Sequence, residues 1–131
     1  MKPYSSNTLT QHIRVQTRAF YVPERSDPSQ KEFFFAYRIR ITNEGSEAAQ
    51  LISRHWMITD AVGRNEEVRG MGVVGQQPRL EPGENYVYTS ACPLSTEWGT
   101  MQGSYQMLRD DGTAFDAAIG RFLLLCTPLN N

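Results

Sequence analysis

Apolar and polar positions alternate with a period of two along most of this chain, which is the signature of half-buried strands. Ile13, Val15 and Thr17 alternate with His12, Arg14, Gln16 and Arg18, and the pattern runs on through Phe20 and Val22 to Pro23. The ten residues before it are polar and are expected to fray. A polar loop with two prolines, Pro23 to Ser29, separates this strand from the strongest alternation in the chain, Phe33, Phe35, Tyr37, Ile39 and Ile41, which closes on the turn residues Asn43-Glu44-Gly45-Ser46. Gln50 to Asp60 reads as another long strand, ended near Gly63. Glu66-Glu67-Val68-Arg69 reads as a short charged strand suited to a sheet edge.

Gly70, Gly72 and Gly75 follow, then Pro78 and the turn Leu80-Glu81-Pro82-Gly83. Tyr86, Tyr88 and Ser90 alternate with Val87 and Thr89, and Met101, Gly103, Tyr105 and Met107 alternate with polar neighbours. Asp110-Asp111-Gly112-Thr113 is a hairpin signal, after which Phe115, Ala117 and Ile119 alternate. Phe122 to Cys126 is unbroken apolar sequence, and Pro128 is expected to end it. No window sustains a helical period. Some seven to eight strands at this spacing predict an all-β, antiparallel two-sheet sandwich or small barrel.

Length and charge narrow the picture. The chain has 131 residues, enough for one ordinary domain spanning 1–131 and too few for a second core. Thirteen basic and 14 acidic residues leave a net charge of −1, so no global field draws in nucleic acid or anionic membrane, and neither is expected as a partner. The cations are nearly all arginine, with lysine only at positions 2 and 31. Met1 to Asn7 holds no apolar signal-peptide core, and Phe122 to Cys126 is far short of a membrane span. A cytoplasmic protein is the expectation. Cys92 and Cys126 are then free thiols, a disulfide remaining open only if their strands meet.

Several stretches resemble one bacterial family. Ser53-Arg54-His55-Trp56-Met57-Ile58-Thr59-Asp60 and Gly70-Met71-Gly72-Val73-Val74-Gly75-Gln76-Gln77-Pro78 are similar to ApaG sequences. So, in the right order, are Pro82-Gly83-Glu84, Tyr88-Thr89-Ser90 and Gly99-Thr100-Met101-Gln102-Gly103-Ser104-Tyr105-Gln106-Met107. The resemblance covers nearly the whole chain. It implies a sandwich of the fibronectin type III or immunoglobulin-like kind. It also implies a physiological link to diadenosine-polyphosphate or divalent-cation (cobalt and magnesium) homeostasis. Related eukaryotic domains imply protein–protein contact, and the family brings no settled enzymatic activity. Two positions depart from the family pattern: Thr96-Glu97 where Thr-Pro is frequent, and Ile119-Gly120 where Ile-Pro is frequent. Both bear on loop or bulge geometry.

Candidate chemistry is sparse. Gly70-x-Gly72-x-x-Gly75 has the spacing of a dinucleotide fingerprint, but Pro78 and Pro82 forbid the helix that such a site requires. A weaker form needs no helix: backbone N–H groups of a glycine-rich turn, helped by Arg54 and Arg69 with Arg64 and Arg79 nearby, can hold a phosphate or pyrophosphate. Against this stands the purely structural reading, in which the glycines allow positive φ or close chain crossing. His12 and His55 are far apart and neither has a ligand at metal spacing, and Asp60, Asp110, Asp111 and Asp116 read mostly as turn-formers, so neither a metal nor any other cofactor is expected. No nucleophile–base arrangement is visible. Trp56 reads as core, while Trp98 reads either as an exposed anchor for a partner or as loop packing. The expectation is a non-catalytic module that binds an unknown protein partner, with a phosphate-containing small molecule as the alternative ligand and a homodimer open.

Overall fold

Inward-facing apolar residues must be covered on two sheets at once, and nine strands among the described residues do this. The structure, a computed structural model, describes residues 4–126, so the terminus assigned to Pro128 lies outside it. The strands are β1 (Ser5–Thr10), β2 (Ile13–Tyr21), β3 (Phe33–Asn43), β4 (Ala49–Asp60), β5 (Asn65–Met71), β6 (Arg79–Leu80), β7 (Asn85–Leu94), β8 (Trp98–Arg109) and β9 (Ala114–Leu125). One sheet has the order β1-β2-β3-β7 and the other β5-β4-β8-β9, with β6 also paired to β4. Every pairing is antiparallel. This is the expected sandwich. Its helical content among the described residues is two three-residue 3-10 turns, Pro23–Arg25 and Pro28–Gln30.

Two elements exceed the expectation. The residues expected to fray form β1, joined to β2 by Gln11 and His12, both at positive φ (46° and 70°). A two-residue turn with both central residues left-handed matches the twist of the flanking strands. Its usual Asn-Gly signal is missing here, so the hairpin is silent in the sequence. The other addition is β6, whose two residues are too few to show alternation.

The core is one cluster gathered from both sheets, including Ile13, Phe35, Ile39, Leu51, Trp56, Tyr105, Phe122 and Leu124. Trp56 is at its middle, edge-on to Tyr37 of the opposite sheet (5.4 Å between centroids, 63°), to Tyr105 (6.4 Å, 84°) and to Phe122 (6.1 Å, 81°). Such pairs add about 0.5–1.5 kcal/mol each beyond simple burial. Among the described residues Asn43 is the one fully buried side-chain amide. Its Nδ2 donates to the carbonyls of Glu47 (2.8 Å) and Leu80 (3.0 Å), and its Oδ1 accepts from Gly45 N–H (2.9 Å), so β3, the following turn and β6 are fastened at one point.

Two irregularities set which residues face inward. Between Leu51 and Ser53, β4 carries one residue more than β8, and between Ile119 and Phe122, β9 carries one more than β8 opposite Met101–Gly103. A bulge of this kind switches the parity of everything after it. Leu51 faces inward, and so, after the extra residue, do Trp56 and Ile58. In β9 the inward set changes from Phe115, Ala117 and Ile119 to Phe122 and Leu124. That is why Phe122 to Cys126 shows no period in sequence. The departure at Ile119-Gly120 falls on this bulge, and a Cβ on Gly120 would come within 2.4 Å of Thr8 Oγ1, so glycine lets β1 lie close against β9.

At Gly103 the two central strands of the five-stranded sheet approach too closely for a side chain: a Cβ there would meet the His55 carbonyl oxygen at 2.0 Å. Gly103→Ala is therefore expected to lower the unfolding free energy by about 2–3 kcal/mol. Urea unfolding measures this, and a loss under about 0.5 kcal/mol would show that β4 and β8 are not so close.

Candidate functional site

The most chemically distinctive surface lies where the sandwich opens along β5 and β7. Here the inner faces of the two sheets diverge into a cleft of about 340 Å³, lined by Tyr37, Tyr88 and Ser90 from one sheet, Arg54 and Trp56 from the other, Met71 at the end of β5, and Val73, Val74 and Gly75 from the turn that follows. Arg54 is here because of the β4 bulge. It stands two residues before Trp56 and shares its inward parity.

The bulge also anchors the loop. The Ile52 carbonyl accepts from Gly72 N–H (2.8 Å) and from Gln77 Nε2 (2.9 Å). Val73 and Gln76 exchange two backbone hydrogen bonds (2.8 and 2.9 Å) across Val74 and Gly75, whose φ values are 49° and 77°. This is a two-residue turn with both central residues left-handed. Gly75 suits it, but Val74 is β-branched and is strained there. Gly72 (φ 65°) has no alternative, because a Cβ would lie 2.4 Å from the Gln76 carbonyl oxygen.

Arg54 Nη1 donates to the carbonyls of Met71 (3.0 Å) and Gly72 (2.8 Å), so the guanidinium braces the loop from beneath. Gly70 lies within β5, opposite Arg54, and a Cβ on it would stand 2.7–2.9 Å from the three terminal guanidinium atoms. Glycine therefore makes room for the arginine.

Of the residues expected to hold an anion, Arg54 and Gly75 line the inter-sheet cleft and Gly70 and Gly72 contact Arg54, whereas Arg69 meets Arg54 and Gly70 only at a separate open pocket on the outer side of β5. Arg69 pairs with His55 in register, on the outer face, near Glu67 at 3.9 Å. Arg64 and Arg79 are also elsewhere: Arg64 Nε donates to Asp60 at 2.9 Å, and Arg79 bonds to Asp110 and Glu81. Arg54 is the one arginine among the described residues that lines the inter-sheet cleft. The Gly72 and Val73 amides are engaged within the fold, so the loop offers no run of three glycine N–H groups to one point. No helix follows Gly75; the chain returns through Pro78 into β6.

Hydroxyls surround Arg54. The phenols of Tyr88 and Tyr105 are hydrogen-bonded to each other, and Tyr37 lies cross-strand from Ser90. Burial pushes the Tyr37, Tyr88 and Tyr105 phenols up, while the nearby Arg54 charge pulls each partly back. All three stay protonated at neutral pH. Neither Tyr105 nor this hydroxyl group was visible as a site in sequence, because in alternating strands these tyrosines read only as core.

The remaining candidates are placed as follows. Trp98 is 43% exposed at the start of β8, on the outward parity opposite to buried Gly99, paired with Leu125, and so away from the cleft. In the Thr96-Glu97 departure, the Thr96 hydroxyl donates to the Trp98 carbonyl (2.7 Å) and accepts from Ala61 N–H (3.1 Å), fixing that turn by a side chain. Asp60 and Asp111 do form turns, accepting from Val62 N–H and Thr113 N–H respectively. Asp116, by contrast, lies within β9. His55 Nε2 is 3.3 Å from Glu67 on the outer face. Among the described residues no three His, Cys, Asp or Glu side chains form a group that could hold a metal ion, and no helix is long and apolar enough to cross a membrane. Cys92, in β7, and Cys126, just past the end of β9, form no disulfide.

Comparison with known proteins gives a consistent result. The family model described as the ApaG domain matches residues 23–109. A Protein ApaG of Bordetella pertussis is 53% identical over 124 residues, covering 95% of this chain and 89% of that protein. One from Pseudomonas aeruginosa is 57% identical over 118 residues, covering 88% and 92%. A crystal structure of an ApaA protein from Bordetella pertussis, 53% identical, superposes with a TM-score of 0.86 over 90% of this chain and 96% of that one.

Cys92 faces the core of β7, and burial pushes its thiol up to about 12. Only about one molecule in ten thousand then carries the thiolate at pH 8. Iodoacetamide at pH 8 is expected to leave Cys92 unmodified in the folded protein and to label it once urea unfolds the chain. Mass spectrometry of the peptide reads the difference; rapid labelling in the folded state would show that β7 opens.

Proposed function

Since this chain belongs to the ApaG domain family, we propose that it is a non-catalytic binding module that engages a protein partner through the Met71–Gln76 loop. The observation that carries this reading is the exposure of Met71 (68%) and Val74 (61%) on a loop that holds Val74 in a left-handed conformation. An apolar β-branched residue at such a position costs about 1–3 kcal/mol in backbone strain. Asparagine or glycine would relieve that strain and would also remove the apolar surface. Strain kept at an exposed apolar tip supports a contact made by that tip, not a role in folding. Neighbouring chemistry fits binding: the tyrosines stay neutral, Cys92 is unreactive, and the cleft holds no nucleophile beside a base. On this reading any link to diadenosine-polyphosphate or divalent-cation homeostasis, which the family resemblance implies, belongs to the partner's pathway.

Val74→Asn separates stability from function. It is expected to stabilise the fold by about 1 kcal/mol in urea unfolding. It should also abolish stoichiometric capture of a protein from a gentle extract of the source cells, while the unmodified chain retains it. Trp98→Ala should leave capture intact. Loss of capture with Trp98→Ala and not with Val74→Asn would move the contact to the outer face and overturn the loop reading. Recovery of a nucleotide with no protein would replace the reading altogether.

A further inference from the structure

We propose that the cleft around Arg54 receives a carboxylate presented by a partner polypeptide, either an acidic side chain or a free C-terminus, with apolar neighbours seated on Met71 and Val74. This rests on the protein-binding reading above and specifies the chemistry of the partner.

The first argument is a charge without a counterpart. Among the described residues Arg14, Arg64, Arg69 and Arg79 have a carboxylate within 4.0 Å and the other arginines form no ion pair. Most of those others are exposed to water or lie over an aromatic ring, whereas Arg54 lines the inter-sheet cleft. Arg54 is only partly exposed, and the two hydrogen bonds it makes to backbone carbonyls both come from Nη1. A guanidinium drawn into a cleft with neutral acceptors alone has lost water without gaining an anion. Its planar fork is shaped to take two oxygens of one acid group.

Donors beside it are neutral and numerous. The bond between the Tyr88 and Tyr105 phenols uses one of their two hydrogens, which leaves the other to donate elsewhere. The Ser90 and Tyr37 hydroxyls are likewise bonded to each other, which leaves one more hydrogen to donate. Neutral donors around a single cation suit a single negative charge. Phosphate near neutral pH carries between one and two negative charges, and pyrophosphate more, so either would bring charge beyond the single one that this cleft offsets. Size agrees: about 340 Å³ is at the small end of ligand sites and admits one side chain or chain end. Trp56 and Val73 form its apolar walls, and Met71 and Val74 provide an apolar rim for the residues on either side of the acid.

Amide-resolved NMR titration tests this with the whole chain. The probes are Ac-Leu-Glu-Leu-NH2 for the side-chain form, Ac-Leu-Leu-OH for the terminal form, Ac-Leu-Gln-Leu-NH2 as the neutral control, and inorganic phosphate. At least one carboxylate peptide is expected to shift Gly70, Gly72, Val73 and Ser90. The tighter of the two identifies the source, and the glutamine peptide should bind about tenfold more weakly than the glutamate peptide. Arg54→Gln should weaken carboxylate binding about tenfold. Because Arg54 also braces the loop, Tyr37→Phe and Ser90→Ala provide variants that leave that brace in place, each expected to weaken binding about threefold. Phosphate shifting the same amides at lower concentration than either carboxylate would overturn the proposal. So would equal affinity for the glutamate and glutamine peptides, or no shift at these residues with any probe. If partner capture stays sensitive to Val74→Asn while the peptides fail, the carboxylate proposal falls and the protein-binding reading stands.

Discussion

Ile52 is the extra residue that β4 inserts opposite β8, and the arrangement around the cleft depends on it. One added residue in a strand reverses the face of all that follow. Before it, Ala49 and Leu51 are buried; after it, the inward set is Arg54, Trp56 and Ile58. Without the bulge, His55 and Met57 would face the core, and Trp56 would lie on the outer surface. The same residue uses its carbonyl to hold Gly72 and Gln77. A single irregularity thus places the central aromatic residue, turns an arginine into the inter-sheet cleft and fastens the loop that roofs it.

Trp56 then divides the inner face of β4 into two regimes. On its deeper side it packs edge-on against Tyr105 and Phe122, where shape and ring geometry govern. Toward β5 it forms the wall of a cleft in which Arg54, Ser90 and the phenols of Tyr37 and Tyr88 set the chemistry, with the buried Tyr105 phenol bonded to Tyr88 behind them. Tyr37 and Tyr105 belong to both regimes: their rings are core and their hydroxyls border the polar cluster. This dual use suits tyrosine, which combines a large apolar body with one polar tip. It also explains how a cation is tolerated so near the core, since donors, acceptors and the two loop carbonyls share its surroundings.

The glycine motif has a different physical meaning from the one its spacing suggests. Gly70 clears space for a guanidinium, Gly72 avoids a backbone oxygen, and Gly75 completes a turn. Each has its own steric or conformational reason, and only Gly72 and Gly75 require positive φ. Val74 stands out against them as the residue in the loop that the backbone does not favour.

Strand identity was legible because burying one face of a sheet forces a two-residue period, and Phe33 to Ile41 shows it without interruption. The sandwich followed from the number of such segments, and family membership from several motifs in order. The edge position of Glu66 to Arg69 followed from its charge, since an edge strand tolerates water on both sides. β1 escaped notice because its alternating residues are small and polar and its turn, Gln11-His12, lacks the usual signal. The two bulges were illegible for a deeper reason: an extra residue is defined only relative to the partner strand, and pairing register is a property of two segments at once. Arg54 and Arg69 illustrate the limit. Sequence put both near the glycine motif, but register and bulge together sent one into the cleft and the other to the outer face. The sequence by itself thus determined the strands, the two-layer architecture and the family, because these depend on local alternation. Only the tertiary structure decided which polar side chains meet, because that depends on where one strand gains a residue over its neighbour.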